Sequence, residues 1–265
     1  GYACDGEWAD DFHHALRAVL TDEREGYYAD FGEVSQLAKA YHRPHVRDGG
    51  YSKFMRRRFG APADDIPCEQ FVVFSQNHDQ VGNRAFGDRM PAEARPLAAF
   101  CTLLSPFPAL LFMGEEYGEP APFQFFSDHI DPDIAQATRD GRRAEFAAFA
   151  EFAGQQIPDP QDVATFERSK LSRERDEQLA GLYRELIAAR GELPMGDVDT
   201  ISFDESDRWL RVTRGRFQLV CNFAAATLRM PCDAQGIRIA TSDETRLAGG
   251  VLELAPLSGA LLRDT

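Results

Sequence analysis

Four polar side chains, Asn77, His78, Asp79 and Gln80, arrive together at the end of an apolar run that begins at Phe71, and Gly82 and Arg84 follow within four residues. A carboxylate beside an imidazole, set at the mouth of a buried strand, can hydrogen-bond the adjacent hydroxyls of a sugar ring and orient it. The competing reading is a polar loop that caps the next helix, with Asp79 or Asn83 as the cap. These residue types alone do not separate the two. Ser75, His78 and Asp79 do not form a hydrolase triad, because triad members converge from separate segments and these share one short one.

A second apolar run, Phe107 to Met113, ends in the same way on Gly114-Glu115-Glu116-Tyr117. At least one of these carboxylates is expected to be buried against backbone amides or an arginine, while Glu116 can face a substrate. Just beyond lie Phe123, Phe125 and Phe126, which would form a platform for a sugar face if exposed and part of the core if not. Further upstream, Asp10, Asp11, His13 and His14 crowd one helical turn. Adjacent histidines cannot share a metal from one helix face, and the Asp10/His14 spacing supplies only two ligands, so a solvated helix start is expected and no metal. Arg56-Arg57-Arg58 resembles a phosphate-seeking run, but in a chain of net charge −14 it is expected to form internal salt bridges. There is no P-loop, dinucleotide fingerprint or Gly-x-Ser-x-Gly elbow, and no cofactor is called for.

The elements that must position these groups follow from the hydropathy pattern. Residues 92–104 are good helix formers bounded by Pro91 and Pro106, so strand, helix and strand succeed one another as a β–α–β unit. Strands that are apolar throughout belong to a parallel sheet covered on both faces. In such sheets chemistry sits beyond the carboxyl ends of the strands, where both polar clusters fall. Residues 8–23 read as a helix after a short strand in the opening five residues, 42–70 as a long, irregular basic loop, and 127–170 as charged and broken by Pro and Asp, with a helix near 141–153. Residues 174–190 carry the clearest apolar stripe, Leu179, Leu182, Tyr183, Leu186 and Ile187, with acids in the first turn, Arg190 in the last and Gly191 as the stop. After Pro194 the period changes to two: Phe217, Leu219, Cys221 and Phe223 share a face, Gly215 marks a hairpin, and Gly249-Gly250 marks another.

The negative charge opposes nucleic-acid phosphates and anionic membranes as partners. No apolar run reaches the length of a membrane span. Five widely spaced cysteines with no C-x-x-C pair suggest reduced thiols and a cytoplasmic location. The chain opens at Gly1 with no leader-like segment and reads as if it starts within a longer protein.

Taken together, "FVVFSQNHD" followed by "LLFMGEEYG" resembles the seventh and eighth strands of the α-amylase family of glycoside hydrolases. The longer strings "QNHDQVGNRAFGDR", "MGEEYGEPAPFQFFSDH", "DPQDVATFERSKL" and "WADDFHHAL" are similar to the group within that family that releases trehalose from maltooligosyltrehalose. The resemblance implies the carboxyl-terminal part of a (β/α)8 TIM barrel, strands six to eight and the closing helix, over residues 1–194. A small antiparallel β-sandwich domain would follow over 195–265. It implies hydrolysis of the α-1,4 bond next to the terminal trehalose, with retention. Asp79 matches the family's third carboxylate and His78 the histidine that donates to the same ring. Asn77, Gln80 and Arg84 are candidates for substrate contact, as are Tyr51, Phe54, Glu116, Phe125 and Phe126. The segments that carry the nucleophile and the general acid match nothing in this chain. The expected partners are therefore a maltooligosyltrehalose or related α-glucan and an amino-terminal part of the same enzyme, and the chain is expected to be inactive and unstable alone. Two alternatives stay open: another α-glucan enzyme of the same fold, such as a branching or debranching enzyme, and a non-catalytic glucan-binding fragment.

Overall fold

The computed structural model describes residues 4–147 and 156–264. Its helices are α1 (Asp10–Thr21), α2 (Val34–His42), α3 (His78–Gly82), α4 (Arg95–Leu103), α5 (Pro132–Ala147), α6 (Val163–Arg168) and α7 (Glu177–Arg190). The strands are β1 (Glu7–Trp8), β2 (Asp48–Ser52), β3 (Arg57–Gly60), β4 (Phe71–Val72), β5 (Thr200–Asp204), β6 (Trp209–Arg214), β7 (Phe217–Asn222), β8 (Leu228–Pro231), β9 (Gly236–Ala240), β10 (Arg246–Ala248), β11 (Val251–Leu254) and β12 (Ser258–Arg263). The fold is α/β with a β-rich carboxyl-terminal part. Two compact units divide it: one contains the chain up to Ser75, Pro91–Leu111 and everything from Glu177, and the other contains Gln76–Met90 and Phe112–Asp176.

In the first unit the two apolar runs form a short parallel scaffold. β1 pairs in parallel with β4, and Val73 bridges in parallel to Ala109, with Val73 N–H donating to the Pro108 carbonyl and Leu110 N–H to the Val73 carbonyl. The second run forms this single bridge and no longer strand, because the prolines at 106 and 108 carry no N–H to donate to a ladder. The rings of Phe12, Tyr41, Phe71 and Phe107 meet edge-on or tilted, 5.8–6.4 Å apart, and all four are buried. Full burial of each phenylalanine is worth about 1.5–3 kcal/mol. The strand expected in the opening five residues falls mostly on 1–3, which lie outside the described residues; among the described ones, Glu7–Trp8 form the strand before α1. Pairing with Phe71 and Val72, together with the Trp8–Phe74 ring contact, fixes it there.

The segment expected to be an irregular loop contains the β2–β3 hairpin. Its period-two pattern is hidden in the sequence because the outward positions carry arginine. Gly60 is required where the chain closes: at φ +83 an added Cβ would fall 1.6 Å from the Arg47 carbonyl oxygen. Arg56, Arg57 and Arg58 are exposed and form no ion pair among the described residues, which corrects the expectation of internal salt bridges. The hairpin tip projects them into solvent, where Arg57 lies over Phe59 and Arg58 donates to the Gly49 carbonyl.

α7 begins at Glu177, so Glu174 and Asp176 precede its first turn. Leu179, Tyr183 and Leu186 are buried, whereas Ile187 is half exposed. Beyond it, β5, β6, β7, β12 and β9 form one antiparallel sheet and β10, β11 and β8 another. Leu228, Met230, Leu252 and Leu254 of the smaller sheet share a core with Val220, Ala260 and Leu262 of the larger. The hairpins at Gly215 (φ 57) and at Gly249-Gly250 (φ 59 and 74) fall where the glycines placed them. The helix expected near 141–153 is the end of α5 as far as Ala147, and the rest lies outside the described residues.

Two arginines complete the carboxyl end of α4. Arg190 donates to the carbonyls of Leu103, Ser105 and Phe107, and Arg214 to those of Leu104, Ser105 and Pro194. A helix end leaves carbonyls unpaired and carries partial negative charge, which suits both guanidiniums. Burial, and then repulsion from Arg190, pulls Arg214 down to about 10. In the full-length protein, Arg214→Met is expected to lower stability by roughly 2–4 kcal/mol, since it removes the side-chain donor to the buried Leu104 carbonyl and one of the two to that of Ser105. Urea unfolding would measure this, and a change below 1 kcal/mol (roughly one ordinary hydrogen bond) would argue against the capping role.

All five cysteines are free thiols. Among the described residues no helix is long and apolar enough to cross a membrane.

Candidate active site

The second unit opens on Gln76, and the residues expected to do chemistry follow at once. Asn77 is buried and extended, and its Oδ1 accepts from the Gln80 amide, so Asn77 is the N-cap of α3. That cap starts a helix only five residues long, with His78 and Asp79 in its first turn. Both side chains are exposed, at 54% and 59%, with His78 Nε2 3.5 Å from Asp79 Oδ1. A capped helix start thus presents an imidazole and a carboxylate side by side to solvent. The structural alternative named the right motif and the wrong residue: Asn77 caps, which leaves Asp79 uncommitted to that task.

The chain after α3 is held in several places. Gln76 spans the loop, its Oε1 accepting from the Met90 amide at 2.6 Å and its Nε2 donating to Glu115 Oε2 at 3.2 Å. Arg84 donates to Asp88 Oδ2. Gly87 sits at φ +67, where a Cβ would come within 2.4 Å of the Phe123 carbonyl, and its own carbonyl accepts from Phe123 N–H. No L side chain fits that approach. Arg89 lies over the Phe112 ring and donates to the carbonyls of Ala121 and Met113. Arg142 of α5 donates to the carbonyls of Gly82 and Arg84.

The second polar exit separates its two carboxylates by burial. Glu115 is buried, with the Gln76 amide as one partner, while Glu116 is partly exposed. Beyond them Glu119, a residue the sequence gave no reason to single out, is fully buried and accepts from five donors: the amides of Ala121, Ser172 and Arg173 and the hydroxyls of Ser172 and Tyr117. Burial by itself would push its carboxyl up. The Ser172 hydroxyl and the amides of Ala121, Arg173 and Ser172 outweigh it and bring the group down to about 2. Phe125 and Phe126 are each 37% exposed, and Phe126 meets Phe123 and Phe166 edge-on.

His78, Asp79, Gln80, Arg84, Glu116, Phe125 and Phe126 therefore belong to one compact unit, with Asn77 beneath them. Tyr51 and Phe54 lie on the β2–β3 hairpin of the other unit, both exposed, with Tyr27 5.0 Å from Phe54 ring to ring. Among the described residues no group of acids, histidines and cysteines could hold a metal. His13 is buried, its Nδ1 donating to the Ser75 carbonyl and its Nε2 meeting the Tyr28 hydroxyl. His14 faces Asp11, which Arg47 clamps with its backbone amide and guanidinium. The expected solvated helix start is instead a buried polar network, because Arg47 neutralises the acid.

Sequence reasoning missed Gln76, Arg89, Glu119 and Arg142. Only Gln76, directly before the polar cluster, carried a signal that could have been read.

No protein-family model matches the chain. Curated relatives align over its whole length. It is 43% identical to the malto-oligosyltrehalose trehalohydrolase of Rhizobium sp. (strain M-11), covering 100% of this chain and 47% of that protein. It is 39% identical to the protein of the same name from Mycobacterium tuberculosis (strain CDC 1551 / Oshkosh), over 99% of this chain and 48% of that one. The chain thus spans about half the length of the curated relatives it matches. Among solved structures, an α-amylase candidate from Salmonella typhimurium superimposes with a TM-score of 0.81 at 33% identity, covering 98% of this chain and 47% of that chain.

Proposed function

We propose, from the premise that this chain is related along its whole length to the malto-oligosyltrehalose trehalohydrolases, that it forms part of a retaining glycoside hydrolase of the α-amylase family. The enzyme would cleave the α-1,4 bond next to the terminal trehalose of a maltooligosyltrehalose and release trehalose. The observation that carries the reading is the whole-length identity of 43% together with an exposed Asp79 at the exit of an apolar strand.

In this reading β1, β4 and the bridged Ala109 segment are the last three strands of a (β/α)8 barrel that α7 closes. Residues 1–194 would belong to the barrel and 195–265 to an antiparallel β-sandwich domain. Asp79 does not attack. It accepts hydrogen bonds from two neighbouring hydroxyls of the ring that becomes an oxocarbenium ion, and those bonds strengthen as charge develops, so their benefit is concentrated in the transition state. His78 donates to the same ring. Gln80, Arg84 and Glu116 face substrate, and the two exposed phenylalanines stack on sugar faces. Asn77 serves by capping the helix that carries the first two groups. Tyr51 and Phe54 would contribute from the hairpin. The nucleophile and the general acid, placed about 5–5.5 Å apart in a retaining enzyme, would come from chain outside these 265 residues. Five free thiols support a cytoplasmic enzyme.

Two measurements test this. The full-length protein incubated with a maltooligosyltrehalose is expected to yield free trehalose; branched glucan instead would assign it to a different α-glucan enzyme. The 265-residue chain alone is expected to release no trehalose above background. Turnover by it would mean that the attacking carboxylates lie within it.

A further inference from the structure

We infer that Arg142 is a positioning residue for substrate recognition: one guanidinium fixes both the helix that carries Asp79 and the Phe125 ring. The inference rests on the glucan-cleaving reading above. α3 is too short to hold its own geometry, since an isolated helix of that length is far below the size that is stable in water. Its first turn is fixed by the Asn77 side chain. At its carboxyl end the Asp79 and Val81 carbonyls accept from the amides of Asn83 and Arg84, and the Arg84 carbonyl just beyond accepts from Gly87; a side chain sixty residues away in the sequence adds the bond to Gly82, the last residue of the helix, and a second one to Arg84. Arg142 Nη2 donates to the Gly82 carbonyl at 3.3 Å and to the Arg84 carbonyl at 3.2 Å.

The same guanidinium lies over two rings, 5.0 Å from the Phe125 centroid and 4.7 Å from that of Phe146, and Nη1 donates to Glu145 Oε2 at 3.0 Å. Arg142 is only 8% exposed, while Phe125 is open to solvent. A planar cation can bond both carbonyls through one nitrogen and a carboxylate through the other while its flat face lies over aromatic rings. A lysine ammonium, a point charge on a flexible stem, cannot. The guanidinium thereby couples the direction in which α3 presents His78 and Asp79 to the place where the aromatic platform stands. A shift of about 1 Å at either is enough to cost on the order of 10²-fold in rate.

The test uses the full-length protein with maltooligosyltrehalose as substrate. Arg142→Lys and Arg142→Met are compared with the unaltered protein for kcat, KM and melting temperature, with rates normalised to the folded fraction. Both variants are expected to lose roughly 10- to 100-fold in kcat and to show a raised KM as the Phe125 ring loosens, with lysine giving no rescue. If folded Arg142→Lys matches the unaltered protein in kcat and KM, the fork geometry is irrelevant and the inference is overturned. If both arginine variants fail to fold, Phe146→Leu decides, since it removes one of the two rings and leaves both carbonyl bonds in place. A loss of threefold or more in its normalised kcat/KM supports the inference, and an unchanged value overturns it. Should the unaltered protein release no trehalose, the functional reading fails first, and that outcome is distinct from any difference among variants.

Discussion

On the proposed function, Asp79→Asn in the full-length protein should lower kcat for trehalose release by on the order of 10²–10³-fold, the scale of removing a group that stabilises developing charge. KM should change far less. Asparagine keeps the size of the side chain and one acceptor oxygen, so ground-state contacts to the hydroxyls survive while the charge that strengthens them in the transition state is lost. The structure gives no reason for the substitution to disturb folding. Asp79 is largely exposed, its neighbour His78 is exposed too, and the cap that starts α3 belongs to Asn77. Quantifying trehalose against time at saturating substrate reads the effect directly. A rate within a few-fold of the unaltered protein would remove Asp79 from the reaction.

Glu119→Ala is expected to be the most destabilising single change in the second unit, by roughly 3–5 kcal/mol. It leaves three amides and two hydroxyls without the fully buried carboxylate that collects them. The pH dependence follows from the direction of the shift. The carboxyl falls from an ordinary 4.5 to about 2 on folding, so the unfolded chain binds the proton more readily. The stabilisation is then complete above pH 4.5 and disappears as the pH falls towards 2. On the linkage relation this amounts to on the order of 3 kcal/mol. Urea unfolding of the full-length protein at pH 7 and again near pH 3 reads both effects. The gap between unaltered and Glu119→Ala protein should narrow in acid, and a gap that is small at pH 7 or independent of pH would show the five bonds to be replaceable.

Why the exposed polar cluster around Asp79 could be read from sequence and the bonding of Glu119 could not is a matter of locality. The Asn77–Gln80 cluster announces itself because an apolar strand, a cap and exposed polar groups are contiguous in the chain. Glu119 is defined by Ser172 and Arg173, more than fifty residues away, and Arg142 by carbonyls near position 83, and backbone partners leave no mark in side-chain identity. The same distinction explains the fold. Periodicity found α1, α4 and α7 and the hairpins at Gly215 and Gly249, because each is determined within a dozen residues. It failed at β2–β3, where arginine occupies positions that usually mark a strand by alternation. It gave no sign of β1 at Glu7–Trp8, a two-residue strand held by its pairing with β4.

The carboxyl-terminal sheet reaches back to complete three helices of its own unit. Glu205, beyond β5, receives the first amides of α2 from Val34 and Ser35; Arg208 serves the Val19 carbonyl of α1; and Arg214 serves the end of α4. A protein shortened at residue 195 would therefore lose more than an appendage. Each of those helices would lose part of its terminal pairing, with α4 left to Arg190 and α2 to its own Glu33/Gln36 capping box, so trimming the β-rich part away or exchanging it for a foreign module would also weaken the ends of the helices it serves.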